Sequence, residues 1–119
     1  MASIVSTSDV TPKENEKRKL WRLLNPETLD TDPGAVAGVI AYKYRAPADE
    51  PADDDLGEAH GRAEFYYVMS GEGVIGEGGG GRSAVSPGDS FVIHGGSRHS
   101  IWSTSPDEPL TTFYVSLRD

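Results

Sequence analysis

Glu64-Phe65-Tyr66-Tyr67-Val68-Met69-Ser70-Gly71-Glu72-Gly73-Val74-Ile75-Gly76 is the stretch on which the fold turns. A run dense in aromatic and branched side chains breaks at Ser70-Gly71-Glu72, and a second short apolar run begins at once. Aromatic and β-branched residues fit a pleated surface, and glycine supplies the turn, so the stretch predicts two short strands. The same rhythm continues downstream. Arg82–Val85, Ser90–Ile93, His99–Ser103 and Leu110–Leu117 are separated by Glu77–Gly81, Pro87-Gly88-Asp89, Gly95-Gly96 and Pro106–Pro109. Upstream, Val36, Ile40, Tyr42 and Tyr44 share one parity while Val39 and Lys43 take the other, which predicts a strand over Ala35–Tyr44. Six or more strands at this spacing predict an all-β fold, an antiparallel sandwich or small β-barrel.

Composition agrees with that fold. The 119 residues include 14 glycines and 8 prolines, a heavy load of turn-formers for a helical protein. The length suits one domain, and without an internal repeat it is one barrel rather than two. Residues 1–18 read as a flexible N-terminal arm, with an edge strand at Ile4–Val5, and residues 19–119 as a single barrel. Lys19–Leu24 is a helical turn or an entry strand; so short a run leaves both open. Asn25-Pro26-Glu27-Thr28 and Thr31-Asp32-Pro33-Gly34 are turns, and residues 46–57 form a Pro- and Asp-rich loop. Gly78–Gly81 lacks the Lys-Ser/Thr pair and following helix of a phosphate loop, so it is a hairpin tip. Val36, Ile40, Val68, Ile101, Phe113 and Val115 are the expected core. Trp102, out of parity with His99, is expected on the outer face or in a dimer contact.

Charge and cysteine content exclude several classes of function. With no cysteine there is no disulfide framework, thiol nucleophile or thiolate metal site. The net charge is −8, and most of it lies in Asp49, Glu50, Asp53, Asp54, Asp55 and Glu58. The densest basic cluster, Lys17-Arg18-Lys19 with Arg22, is short and interleaved with acids, so neither nucleic acid nor an anionic membrane is an expected partner. No stretch approaches the ~20 apolar residues of a membrane span, and the N-terminus lacks a secretory pattern, which makes a cytoplasmic protein the expectation.

The chemistry-bearing residues concentrate in the β region. Glu58 and His60 are two apart, and an extended chain sends both side chains to one face; Glu64 has the same parity. His99 falls on a later strand. Two imidazoles with one or two carboxylates make a site for a divalent first-row metal, and nitrogen–oxygen ligation favours iron, manganese, nickel, cobalt or zinc.

Two segments carry a resemblance to a known family. Gly57-Glu58-Ala59-His60-Gly61-Arg62-Ala63-Glu64, running on to Gly71, resembles the first cupin motif, and Gly81 through Pro87-Gly88-Asp89, Gly96 and His99 resembles the second. The resemblance covers roughly residues 35–117. It implies a jelly roll, the double-stranded β-helix, with a metal held by Glu58, His60, Glu64 and His99. Three departures stand out: Glu58 takes the place of the first histidine, His94 that of a proline, and Ser103 that of an asparagine. A second carboxylate nearly neutralises a divalent ion and weakens its Lewis acidity, though it still ligates. Without metal, Glu58 is simply the last solvated acid of its loop.

Around this set, Tyr66 and Glu64 are the candidate catalytic groups, as acid or base, while Tyr66 is equally a wall residue of the core. Arg62, His94 and Tyr42 are candidate substrate contacts. The plainer alternatives are an exposed turn arginine, a histidine bonded to backbone and a core tyrosine. Cupins imply an enzyme on a small polar organic molecule. The carboxylate-rich site favours metal-assisted lyase or isomerase chemistry, with a metal-dependent dioxygenase as the alternative. A metal-free small-molecule or sugar binder without turnover is a second class. A dimerisation role is a third, because cupins pair as homodimers by strand exchange and packing of outer sheet faces, which the arm at 1–18 suits.

Overall fold

The computed structural model describes residues 2–51, 57 and 61–117. Nine strands follow in chain order: β1 (Lys13–Glu14), β2 (Arg18–Leu24), β3 (Ala35–Tyr42), β4 (Glu64–Ser70), β5 (Gly73–Glu77), β6 (Arg82–Val85), β7 (Ser90–Ile93), β8 (His99–Ser103) and β9 (Leu110–Leu117). They form a six-stranded sheet in the order β1-β2-β3-β9-β4-β7 and a three-stranded sheet in the order β6-β5-β8. Every strand pairing in both is antiparallel.

Backbone bonds beyond β3 tie the sheets together. Arg45 N–H donates to the Ser103 carbonyl (3.0 Å), Ser103 N–H to Lys43 (3.0 Å) and Gly57 N–H to His99 (2.8 Å). The all-β jelly roll expected of the sequence is the fold observed. Among the described residues no helix is long and apolar enough to cross a membrane.

Lys19–Leu24 resolves as strand, because the chain turns back on itself at Asn15. The Asn15 side chain accepts from the N–H of Lys17 (2.8 Å) and Arg18 (2.9 Å), which sets β1 against β2. The arm therefore pairs at Lys13–Glu14, while Ile4–Val5, expected as an edge strand, pairs with nothing regular and leaves Ile4 exposed. Asn25-Pro26-Glu27-Thr28, expected as a turn, tightens into a four-residue helix, α1 (Pro26–Leu29). Asn25 Oδ1 accepts from Glu27 N–H (2.9 Å) and Thr28 N–H (3.0 Å), and Pro26 starts the helix without losing a bond. Gly71 has φ +80° between β4 and β5, and a Cβ there would collide with the Pro109 carbonyl.

The core lies between the sheets: Val36, Ile40, Tyr42, Tyr66, Val68, Ile75, Val85, Ile93, Ile101, Leu110 and Tyr114. Two expected core residues belong elsewhere. Phe113 is 38% exposed and Val115 only half-buried, because Tyr66 pairs with Tyr114 and Val68 with Thr112. Residues 110, 112 and 114 therefore face inward. Apolar residues on both faces of β9 hide its parity, and the pairing register decides it. Trp102 does stand on the outer face of the small sheet, but the chain itself covers it, leaving it 1% exposed. Its ring lies over Gly76, and Arg82 caps it, with the guanidinium carbon 5.9 Å from the ring centroid. Arg82 in turn donates to the Pro51 carbonyl (3.0 Å).

Candidate functional site

The interior of the barrel is polar at one end because β2 and β4 send charged residues inward and β3, β4 and β9 send tyrosines. On β2 the inward parity is Arg18, Leu20 and Arg22, set by Leu20, which packs on the core opposite Ile40. Arg18 pairs with Tyr42 on β3. Arg22 pairs with Gly38, and Gly38 with Tyr114 on β9, which sets the three in one cross-strand row; a Cβ on Gly38 would collide with the Trp21 carbonyl. On β4, Glu64 and Tyr66 point inward, and both are buried. Tyr66 stacks on Phe91 of β7 (4.7 Å between centroids, 11° between planes) and tilts against Tyr114 at 6.4 Å.

One hydrogen bond anchors this group: the Tyr66 hydroxyl donates to Glu64 Oε1 at 3.0 Å. Tyr42 stands close enough to Tyr66, Glu64 and Arg18 for each to act on its acidity. Arg22 and Arg18 act on Tyr114 in the same way.

Burial dominates the acidity of these phenols. Tyr42 is pushed up to about 12, because desolvation outweighs the opposing charge of Arg18. Desolvation also raises Tyr66, with Tyr42 and Glu64 adding to the effect. Tyr114 is raised by desolvation against the pull of Arg22 and Arg18. All three are therefore neutral donors near neutral pH.

Two clefts open onto this interior. One, about 230 Å³, is lined by Arg18, Tyr42, Gly57, His99 and Ile101 among others. The second, about 190 Å³, is lined by Arg18, Arg22, Ile40, Glu64, Tyr114 and Ser116 among others. Arg18 is common to both. His99 sits at the start of β8, half-buried, with Nδ1 3.3 Å from the Ser97 carbonyl. In the tautomer that carries its proton on Nδ1, the ring donates to this carbonyl and leaves Nε2 as the acceptor nitrogen, the form that ligates a metal.

The structure thus brings Tyr42, Glu64, Tyr66 and His99 to one end of the barrel. Glu58 and His60 lie outside the described residues. Their described neighbours are fixed at two points: Gly57 bonds to His99, and Gly61 packs on Gly95 closely enough that a Cβ on Gly95 would meet the Gly61 carbonyl at 2.8 Å. Among the described residues no three His, Asp or Glu side chains converge. Arg62 and His94 are exposed in turns and line neither cleft; the His94 carbonyl accepts from Ser97 N–H at 3.2 Å. Ser103 is fully buried and structural, its hydroxyl donating to the Glu108 carbonyl (2.7 Å) and accepting from Ser105 N–H (3.1 Å). Arg18, Arg22 and Tyr114 are the interior polar residues that sequence reasoning missed. Their signal was the two-residue spacing of the arginines about Leu20.

A family model described as a cupin domain matches residues 43–116, which takes in β4 to β8 and nearly all of β9. The chain belongs to the cupin family. Solved structures share this fold at low identity. Hydroxypropylphosphonic acid epoxidase from S. wedmorenis, in complex with fosfomycin, is 15% identical with a TM-score of 0.77 over 98% of this cupin and 59% of that chain. A predicted oxalate decarboxylase from Thermotoga maritima is 22% identical, TM-score 0.70, over 97% of this cupin and 98% of that chain. KdgF from Halomonas sp. is 18% identical, TM-score 0.69, over 100% and 96%. The cupin therefore spans about three-fifths of the epoxidase and nearly all of the other two. No curated protein sequence matches it significantly.

Proposed function

We propose that this cupin binds a divalent first-row metal (iron, manganese, nickel, cobalt or zinc) through Glu58, His60, Glu64 and His99. On this reading it acts on a small polar organic molecule by lyase- or isomerase-type chemistry. The observation that supports it is the state of Glu64: a buried carboxylate held at Oε1 by a neutral phenol, in an interior that His99 also lines. A carboxylate oxygen and an imidazole Nε2 are the donor types that hold such a metal. When bound, the metal contributes Lewis acidity toward a carbonyl or carboxylate oxygen.

The chain's own residues do the rest. Tyr66 fixes the orientation of Glu64 through its hydroxyl and, because burial holds its proton tightly, acts there as a hydrogen-bond donor. Glu64 is the group able to accept a proton. Tyr42 and Arg18 hold Tyr66 in place from behind. The clefts are smaller than the ~300–1,000 Å³ typical for drug-sized ligands, which suits a substrate of few atoms. Oxalate and hydroxypropylphosphonic acid, named for two of the structural neighbours, are of that size. We also propose that a second copy of the chain covers the apolar outer face of the large sheet, making a homodimer.

Elemental analysis of the purified protein with Glu58→Ala and His99→Ala variants tests the metal site. The expected result is near-stoichiometric metal in the wild type and loss in both variants. Metal retained in Glu58→Ala removes that residue from the ligand set. A protein that takes up no iron, manganese, nickel, cobalt or zinc on reconstitution overturns the mechanism and leaves a binding barrel.

A further inference from the structure

We infer that Arg18 and Arg22 form an anion subsite, and that the molecule this cupin takes is a small organic acid bound by its carboxylate. The inference deepens the function proposed above and rests on the same interior. Three observations carry it. First, the chain has a net charge of −8, yet two half-buried arginines face into its barrel from one strand. Neither guanidinium forms an ion pair with a described carboxylate: Glu64 lines the cleft with them but its Oε1 is taken by Tyr66, and the neutral phenols of Tyr42 and Tyr114 lie beside the arginines. A partly desolvated charge paired only with neutral groups is costly, and an incoming anion relieves that cost.

Second, the geometry suits a planar oxyanion. Each guanidinium has five N–H donors in a rigid fork, and a neighbouring phenol oxygen can take up only one or two of them, so donors remain for bidentate pairing. Arg22 and Tyr114 lie in one cross-strand row through Gly38 and line the same cleft. Third, the subsite adjoins the proposed chemistry. Arg18 lines both clefts, one shared with His99 and the other with Glu64 and Arg22. An acid anchored on the arginines thus lies in the same interior as the proposed ligands.

Titration calorimetry with malonate and with its uncharged diamide, malonamide, tests this on the full chain, metal-loaded and after chelator treatment. Malonate is expected to bind in both forms, and malonamide at least tenfold more weakly. Arg18→Gln and Arg22→Gln should each weaken malonate at least tenfold, while Arg22→Lys, which keeps the charge but loses the fork, should fall between. Circular dichroism and the melting temperature confirm that each variant is folded. His99→Ala separates the two ideas: it should lose metal yet keep malonate binding in the chelated form. Equal affinity for malonate and malonamide, or unchanged malonate affinity in both glutamine variants, overturns the anion subsite whatever the metal content. Binding of malonate only when metal is present overturns it as well, because the metal and not the arginines then holds the acid.

Discussion

Tyr42 ties the arginine side of the interior to the carboxylate side, and its titration should be visible in stability. It faces Arg18 from β2 and Tyr66 and Glu64 from β4, and burial pushes it up to about 12 from an ordinary value of 10. Between those values the unfolded chain releases the phenolic proton while the folded chain keeps it. The folded state then binds more protons, so stability falls as pH rises from about 10 toward 12. One such group contributes at most about 1.4 kcal/mol per pH unit. Tyr42→Phe removes this ionisation, so the melting temperature of the wild type should fall relative to that of the variant as pH rises from 8 to 11.5. Parallel melting curves across that range would show that Tyr42 ionises normally. The neighbouring Tyr66 lay on the expected face because Glu64 and Tyr66 are two apart on a strand whose parity Val68 fixes. The placement of Arg18 beside Tyr42 was not legible, since it depends on β2 meeting β3 in one register.

Strands β4 to β9 follow the apolar runs between glycine and proline turns closely, because in an antiparallel fold the turn residues punctuate where each strand must end. Glu77–Gly81 closes the β5–β6 hairpin as a tip, with Glu77 N–H bonded to the Gly81 carbonyl at 2.9 Å. Strand position was thus local information, whereas facing was not. Phe113 and Val115 look as apolar as Leu110 and Tyr114, and pairing with β4 chooses between them. Strand β2 was ambiguous for the same reason, and with it went Arg18 and Arg22, whose direction exists only once β2 is a strand against β3. Ser103 shows the reverse case, a sequence departure that is second-order for the site but matters to an element. Its buried hydroxyl joins β8 to the turn before β9 through Ser105 and Glu108. Ser103→Ala leaves the Glu108 carbonyl without that donor, at a cost of about 1–3 kcal/mol. Urea denaturation should show this as a lower midpoint with unchanged slope, and an unchanged midpoint would mean that solvent replaces the bond fully.

At the scale of the molecule, the outer face of the six-stranded sheet stands out against an acidic surface. Phe65, Tyr67 and Met69 of β4 are 46%, 50% and 50% exposed, and Phe113 of β9 lies beside them. The register makes them neighbours rather than scattered residues: Tyr67 pairs with Phe113, Phe113 with Val39, and Val39 with Trp21. Phe65 lies between Val115 and Val92. A row of cross-strand apolar pairs spanning four strands is more than the isolated exposed side chains any soluble protein tolerates. A sheet face is also self-complementary when two copies meet across a twofold axis, which closes the assembly at a dimer. Light scattering coupled to gel filtration should therefore give twice the 12.8 kDa chain mass. Tyr67→Glu places a charge at the centre of the patch while leaving the inward residues of β4 untouched, so it should yield a folded monomer that still binds metal. A wild type that runs as a monomer at micromolar concentration would remove the homodimer, and a dimeric Tyr67→Glu variant would move its interface to another face. Because Tyr67 and Tyr66 point to opposite sides of one strand, the site and the proposed contact are one side chain apart.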